Sequence, residues 1–273
     1  TPTQEEVVHT LIQNDLGVFV APPGSGKTML ARRLATILPP LQFEEALETT
    51  KIYSVAGRLP NRQALVSQRP FRAPHHTISD AGLVGGGPYP RPGEVSLAHN
   101  GVLFMDEFPE FPRAVLETLR QPIETGEVMV ARANAHVKYP CRFMLVAAAN
   151  PCKCGYLSDP ARACSRVPAC GEDYMGRISG PLMDRFDLRV EVPAVMPGDL
   201  IRSRPGEPSA SVAKRVAAAR VPGRRELQRR RDQPRDPVQQ HDGLAELERN
   251  IEADIQVLEN IQEAVRQARQ HAE

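Results

Sequence analysis

The sequence predicts an α/β fold with a parallel sheet flanked by helices, and three strand-like runs carry that expectation. Val18–Ala21 runs into a glycine-rich bend, Gly101–Met105 into two carboxylates, and Arg142–Ala149 into Asn150. Mostly continuous apolar runs of this length, bounded by turn residues, suit strands covered on both faces.

The first run continues through Pro22-Pro23-Gly24-Ser25-Gly26-Lys27-Thr28 into Met29-Leu30-Ala31-Arg32-Arg33-Leu34, a helical pattern. Strand, glycine-rich loop and helix in this order make a phosphate cradle. Backbone N–H groups of the loop and the helix N-terminus face phosphate oxygens, and the helix dipole favours negative charge there. Pro23, Gly24, Ser25, Gly26, Lys27, Thr28 and Met29 are the candidate nucleotide-binding residues. Lys27 would reach the β- and γ-phosphates, and the Thr28 hydroxyl would ligate Mg²⁺. The pattern G-x-x-x-x-G-K-[ST] is met except at its first position, which is Ala21.

The second run, Gly101–Met105, ends in Asp106 and Glu107. Asp106 at the strand tip would hold Mg²⁺. Glu107, one residue on, points differently and could orient and deprotonate a water attacking the γ-phosphate. The third run ends at Asn150, a polar tip suited to sensing the γ-phosphate, although Asn before Pro is also an ordinary turn.

Size and composition fit a folded enzyme domain. The chain has 273 residues, 41% hydrophobic and 25% charged, with a net charge of +1, so nothing global points to nucleic acid or membrane. No apolar run approaches the roughly 18 residues needed to span a bilayer, and no secretory leader opens the chain. Five cysteines, unevenly used, suit a reducing cytoplasm better than a disulfide scaffold. The chain begins at Thr1 without methionine, which suggests a piece of a longer protein.

Composition divides the chain into an α/β core over 1–195, a basic linker over 196–242 and an amphipathic helix over 243–273. Between Arg202 and Arg235, eleven Lys and Arg face three acids, with prolines interspersed. That segment reads as a solvated linker or an electrostatic DNA contact. From Gly243 on, Leu244, Leu247, Ile251, Ile255, Leu258, Ile261 and Val265 recur at helical spacing, a narrow seam wanting a partner helix.

Several longer strings carry a resemblance: APPGSGKTML, RPFRAPHHTISDAGLVGGG, PGEVSLAHNGVLFMDEFPEF, LRQPIETGEV, AAANPCKCGY and RISGPLMDRFDL. Together, over about residues 17 to 195, they strongly resemble the magnesium-chelatase-related AAA+ ATPases, and within that group the ComM (YifB) competence-related branch. The resemblance implies an AAA+ P-loop core with β-hairpin insertions and a homo-hexameric ring with ATP and Mg²⁺ at subunit interfaces. For the ComM-like branch it implies a helicase that drives branch migration of DNA in recombination. Gly24, Gly26, Lys27 and Thr28 then correspond to Walker A, Asp106 and Glu107 to Walker B, and Asn150 to sensor 1. Arg185 resembles the arginine finger offered to the neighbouring subunit, with a local ion pair to Asp184 or Asp187 as its alternative and Arg177 as a second candidate.

Two inserts are legible within that pattern. Glu127–Lys138 alternates either side of Arg132–Asn134 and reads as a β-hairpin. In ring helicases such hairpins face the pore, which makes Arg132, Asn134, His136 and Lys138 candidates for phosphate-backbone contact; a merely solvated hairpin is the other reading. Arg69–Gly87 contains His75 and His76. Adjacent histidines on an extended chain point to opposite sides, so a structural or DNA-facing role is expected there rather than a metal. Cys152, Cys154, Cys164 and Cys170 follow as C-x-C-x9-C-x5-C. Four thiolates suit a closed structural zinc site, although the spacing departs from the usual C-x2-C pair, and free thiols or disulfides are the alternatives. Cys141 is expected in a strand.

The chain departs from the family pattern in its first 16 residues and after about Arg220, where neither a helical lid nor a sensor 2 arginine can be placed. The expected activity is Mg²⁺-dependent ATP hydrolysis that moves DNA. A chelatase-type motor acting on a protein client, or a truncated nucleotide-binding module with little turnover, are the alternatives. No membrane partner is expected.

Overall fold

A computed structural model describes residues 16–20, 23, 25–59, 64–87, 90–132, 135–157, 162–186, 188–191 and 208–218. The chain divides into units over Thr1–Pro222 and Gly223–Glu273. The amphipathic helix expected over 243–273 lies outside the described residues, as do Gly24 and Asn134.

The core is a five-stranded sheet made of β1 (Leu16–Val20), β2 (Phe71–Arg72), β5 (Val102–Met105), β8 (Met144–Ala149) and β9 (Leu188–Glu191), in the order β2-β5-β8-β1-β9. Every pairing in it is parallel. Two antiparallel pairs stand apart from it: β3 (Gly85–Gly86) with β4 (Arg91–Pro92), and β6 (Glu127–Arg132) with β7 (Ala135–Pro140). The second is the expected hairpin.

Period-two alternation sorts the strand side chains into two cores. Val102, Phe104, Met144, Val146 and Ala148 face one side, with Leu30, Ala31, Leu34 and Ile37 of α1 (Lys27–Ile37). Leu103, Met105, Leu145 and Ala147 face the other, among Phe108, Leu116, Leu119, Leu182 and Phe186. Both faces are covered, which is why these strands read as continuous apolar runs. A helix over 209–218 adds Val212 and Val216 to the α1 side. It lies within the segment expected as a solvated linker, and its two buried valines dock it on the packed core.

The edge strand β2 is fastened by two arginines. Arg72 grips Glu94 through Nε and Nη2 at 2.6 and 2.7 Å. Arg69, only 6% exposed, donates to Asn100 O at 2.7 Å and pairs with Glu45 at 2.9 Å. Glu45 also caps α2 (Phe43–Val55) by accepting the Gln42 N–H at 3.0 Å. Gly101 is obligatory beside them, since a Cβ there would stand 2.1 Å from Pro70 O.

Candidate nucleotide site

Parallel topology delivers the site. β1, β5 and β8 run the same way, so their C-terminal ends open on one edge of the sheet, where ligands of open α/β folds bind. Val20 pairs with Ala149 and Met105 with Ala147, so the loop after β1, Asp106 and Asn150 leave the sheet side by side.

The contacts follow from that register. Lys27 Nζ donates to Asn150 Oδ1 at 3.0 Å, and Thr28 Oγ1 donates to Asp106 Oδ2 at 2.8 Å. Gly26 takes φ 84° at the N-cap of α1, a left-handed turn that favours glycine, and no side chain caps the helix. The N-terminus of such a helix, with its aligned peptide dipoles, favours an anion. Ser25 is buried, while Pro23, Thr28 and Met29 are exposed. Burial lowers the Lys27 pKa from its ordinary value, against the opposing pull of Asp106 and Glu107. An ammonium held this way gains from an incoming phosphate. The Thr28 hydroxyl and Asp106 carboxylate are hard oxygen donors that already touch, and they fit a divalent cation such as Mg²⁺.

Glu107 follows at φ 52°, one of two non-glycine residues with positive φ among those described. Its N–H donates to Asp106 Oδ1 at 3.0 Å. Left-handed backbone in a residue with a long side chain costs about 1 kcal/mol or more and tends to occur at functional sites. The Glu107 carboxylate meets His76, whose Nδ1 lies 3.0 Å from Glu107 Oε2.

That contact corrects the expectation for the histidine pair. His75 and His76 do not diverge; their rings lie 4.1 Å apart, because the chain is turning there and Ile78 N–H donates back to His75 O at 3.0 Å. The ring of His76 also stands edge-on to Phe111. Only a turn, in place of the assumed extended segment, could have revealed this partner of Glu107 from sequence.

Arg185 sits apart from these contacts. It follows the short helix Gly180–Met183 and donates to Glu124 and to the Pro181 carbonyl, while Asp187, one of the two acids expected beside it, lies outside the described residues. Arg177 pairs with Glu110 at 3.1 Å over the Tyr174 ring. On the hairpin, Val128, Val130 and Tyr139 are buried, and Tyr139 Oη donates to Pro90 O at 2.8 Å. The opposite face carries Met129 against Lys138 and Ala131 against His136, all exposed. Lys138 lies 3.6 Å from Glu127. Arg132 lies in β6, and its side chain falls outside the described residues, as does Asn134.

Three of the four late cysteines converge. The Sγ atoms of Cys152, Cys154 and Cys170 lie within 4.8 Å of one another, and Cys164 is near enough to Cys154 and Cys170 to shift their thiols, although it stands outside that close group. Hydrogen bonds from Cys152 and from the backbone N–H groups of Tyr156 and Cys164 hold the Cys154 thiol down at about 6. Cys141 is not in a strand but in the link from β7 to β8, where burial, with Glu127 nearby, pushes its thiol up to about 12. No helix among the described residues is long and apolar enough to cross a membrane.

Comparison with known proteins agrees with this geometry. Residues 13–200 match the family described as magnesium chelatase, subunit ChlI. The chain is 50% identical over 203 residues to the uncharacterized protein YifB of Salmonella typhimurium, covering 74% of this chain and 40% of that one. It is 49% identical over 204 residues to the competence protein ComM of Haemophilus influenzae, with the same coverage. The magnesium-chelatase 38 kDa subunit of Rhodobacter capsulatus is 26% identical over 186 residues, 62% of this chain and 46% of that one. The chain thus spans about two fifths of the length of its YifB and ComM relatives. Among solved structures, NtrX from Brucella abortus in complex with ATP aligns at TM-score 0.43 and 16% identity over 71% of this chain and 36% of that one, a likeness too slight to carry weight. On the match over residues 13–200 and on its parallel α/β core, the chain belongs to the magnesium-chelatase family of AAA+ ATPases.

Proposed function

We propose that this chain binds ATP with Mg²⁺ and hydrolyses it as the motor domain of a cytoplasmic homo-hexameric ring acting on DNA, in the manner of a ComM-like branch-migration helicase. The observation that carries the nucleotide half is the bond from Thr28 Oγ1 to Asp106 Oδ2, which joins the tip of β5 to the helix after β1. Thr28 and Asp106 are the residues to hold Mg²⁺, which supplies charge neutralisation and a fixed geometry for the phosphates. Lys27 and the first N–H groups of α1 bind phosphate, and Asn150 orients the γ-phosphate. Glu107 takes the proton of the attacking water at its carboxylate. Arg185 would leave Glu124 to reach the neighbouring subunit's nucleotide, where a guanidinium stabilises transferred charge.

The DNA half rests on the similarity to the competence protein ComM and on the hairpin, whose exposed face presents His136 and Lys138 while Val128 and Val130 anchor it. Contacts of this kind are sequence-blind and weaken with salt. A second reading, a chelatase-type motor remodelling a protein client, is favoured by the similarity to the magnesium-chelatase 38 kDa subunit. A third reading is a module that binds nucleotide with little turnover. Steady-state ATP turnover with no DNA, linear duplex and a four-way junction separates the three. Stimulation by the junction supports the DNA motor. Turnover indifferent to DNA turns the reading to a protein client, and binding without turnover to the module.

A further inference from the structure

The cysteine cluster is built like a site. Cys152 is fully buried beside Cys154, and their Sγ atoms lie 2.9 Å apart. Cys170 is 7% exposed on α7 (Ala169–Met175). The chain turns tightly at each pair: Gly155 N–H donates to Cys152 O at 3.0 Å, and Cys170 N–H to Arg166 O at 3.0 Å. None of the five cysteines is in a disulfide. Four sulfurs around one Zn²⁺ at about 2.3 Å would stand about 3.8 Å from one another. Cys152 and Cys154 stand 2.9 Å apart and Cys170 lies within 4.8 Å of both, close enough to share one ion.

We propose that Cys152, Cys154, Cys164 and Cys170 bind one Zn²⁺ as a closed tetrathiolate, and that this site braces the nucleotide pocket from behind. Zinc takes four thiolates, and the protons they shed go to solvent. The spacing C-x-C-x9-C-x5-C lacks the usual C-x2-C pair, but the structure supplies by folding what the spacing withholds, since α7 returns Cys170 to the first pair. Gly171 beside it packs so closely on the loop that a Cβ there would stand 2.9 Å from Leu157.

The bracing follows from two contacts. Cys152 comes two residues after Asn150, which holds Lys27. Gly155, at φ 83°, lies against Pro23 of the phosphate loop, where an added Cβ would come within 2.5 Å of the proline ring. Fixing Cys152 and Cys154 therefore fixes both the tip of β8 and one wall of the cradle. This second part rests on the ATP reading above, whereas the metal site does not.

The test measures metal content and nucleotide affinity separately. The chain, purified in reductant without added metal, is analysed by elemental mass spectrometry, and a Co²⁺-substituted sample by visible absorption. One zinc per chain and the intense bands of tetrahedral cobalt thiolate are expected. Cys152→Ser and Cys170→Ser should each lose the metal, and Cys141→Ser should keep it. If the cysteine variants do not fold, the metal content and cobalt spectrum of the unaltered chain still decide. Absence of zinc together with failure to take up Zn²⁺ or Co²⁺, or a disulfide among the four found by mass spectrometry, overturns the site. Stripping zinc with a chelator should weaken binding of a fluorescent ATP analogue several-fold. Zinc present with unchanged affinity after stripping refutes the bracing alone, and zinc present with no nucleotide binding at any stage refutes the ATP reading instead.

Discussion

His76 Nδ1 lies 3.0 Å from Glu107 Oε2, so the carboxylate proposed as general base is held through that oxygen. The pair is 30% and 50% exposed, so the contact is worth no more than about 1 kcal/mol. His76→Ala should therefore lower kcat about five-fold and leave ATP affinity unchanged, with His76→Asn restoring part of the rate. A faster enzyme would instead mean that His76 restrains Glu107.

Lys27 and Asn150 touch, yet their roles are separable. Lys27→Ala removes the only charge aimed at the phosphates by this pair and should weaken ATP binding about 10- to 100-fold. Asn150→Ala should keep the affinity within a few-fold and cut turnover on the order of 10²-fold. Nucleotide titration beside single-turnover kinetics distinguishes the two patterns.

Arg185 is engaged with Glu124 in its own chain. If it acts on a neighbour's nucleotide, Arg185→Ala should leave ATP binding intact and reduce turnover on the order of 10³-fold. Mixing it with Lys27→Ala chains should then restore activity, because one chain supplies the site and the other the finger. No restoration at any ratio would place Arg185 outside the reaction.

His99 carries the clearest pH dependence. It is fully buried, Arg142 N–H donates to its Nδ1 at 3.0 Å, and Nε2 therefore bears the proton facing Glu48 Oε2 at 3.1 Å. Burial lowers its pKa, and Arg142 adds to that effect, while Glu48 and Glu45 oppose it. Below about pH 6.5 the unfolded chain takes up a proton that the buried ring resists, so stability falls on acidification, by at most about 1.4 kcal/mol per pH unit. Urea midpoints measured from about pH 8 to pH 5 should fall less steeply in His99→Gln, whose amide can still donate to Glu48. Parallel profiles for the two proteins would rule the ring out as the cause.

Much of the core was legible because its signals are local. β5 and β8 are apolar runs with chemistry at their tips, and the hairpin shows its alternation in Val128, Val130 and Tyr139. The illegible parts depend on tertiary contacts. The helix over 209–218 buries only Val212 and Val216, too few to stand out in a basic, proline-flanked segment. Arg69 reads as one more cation, and only folding joins it to Glu45 and Asn100. His76 reaches Glu107 across 31 residues through a turn that residue alternation does not foretell.

The most direct measurement is ATP hydrolysis by the purified chain beside Glu107→Gln, with nucleotide affinity determined for both. Turnover in the parent, lost by about 10²-fold or more in the variant while ATP affinity is retained, is the expected result. Equal rates in the two proteins, or no ATP binding by the parent, would contradict the assignment of Thr28, Asp106 and Glu107 to one hydrolytic site.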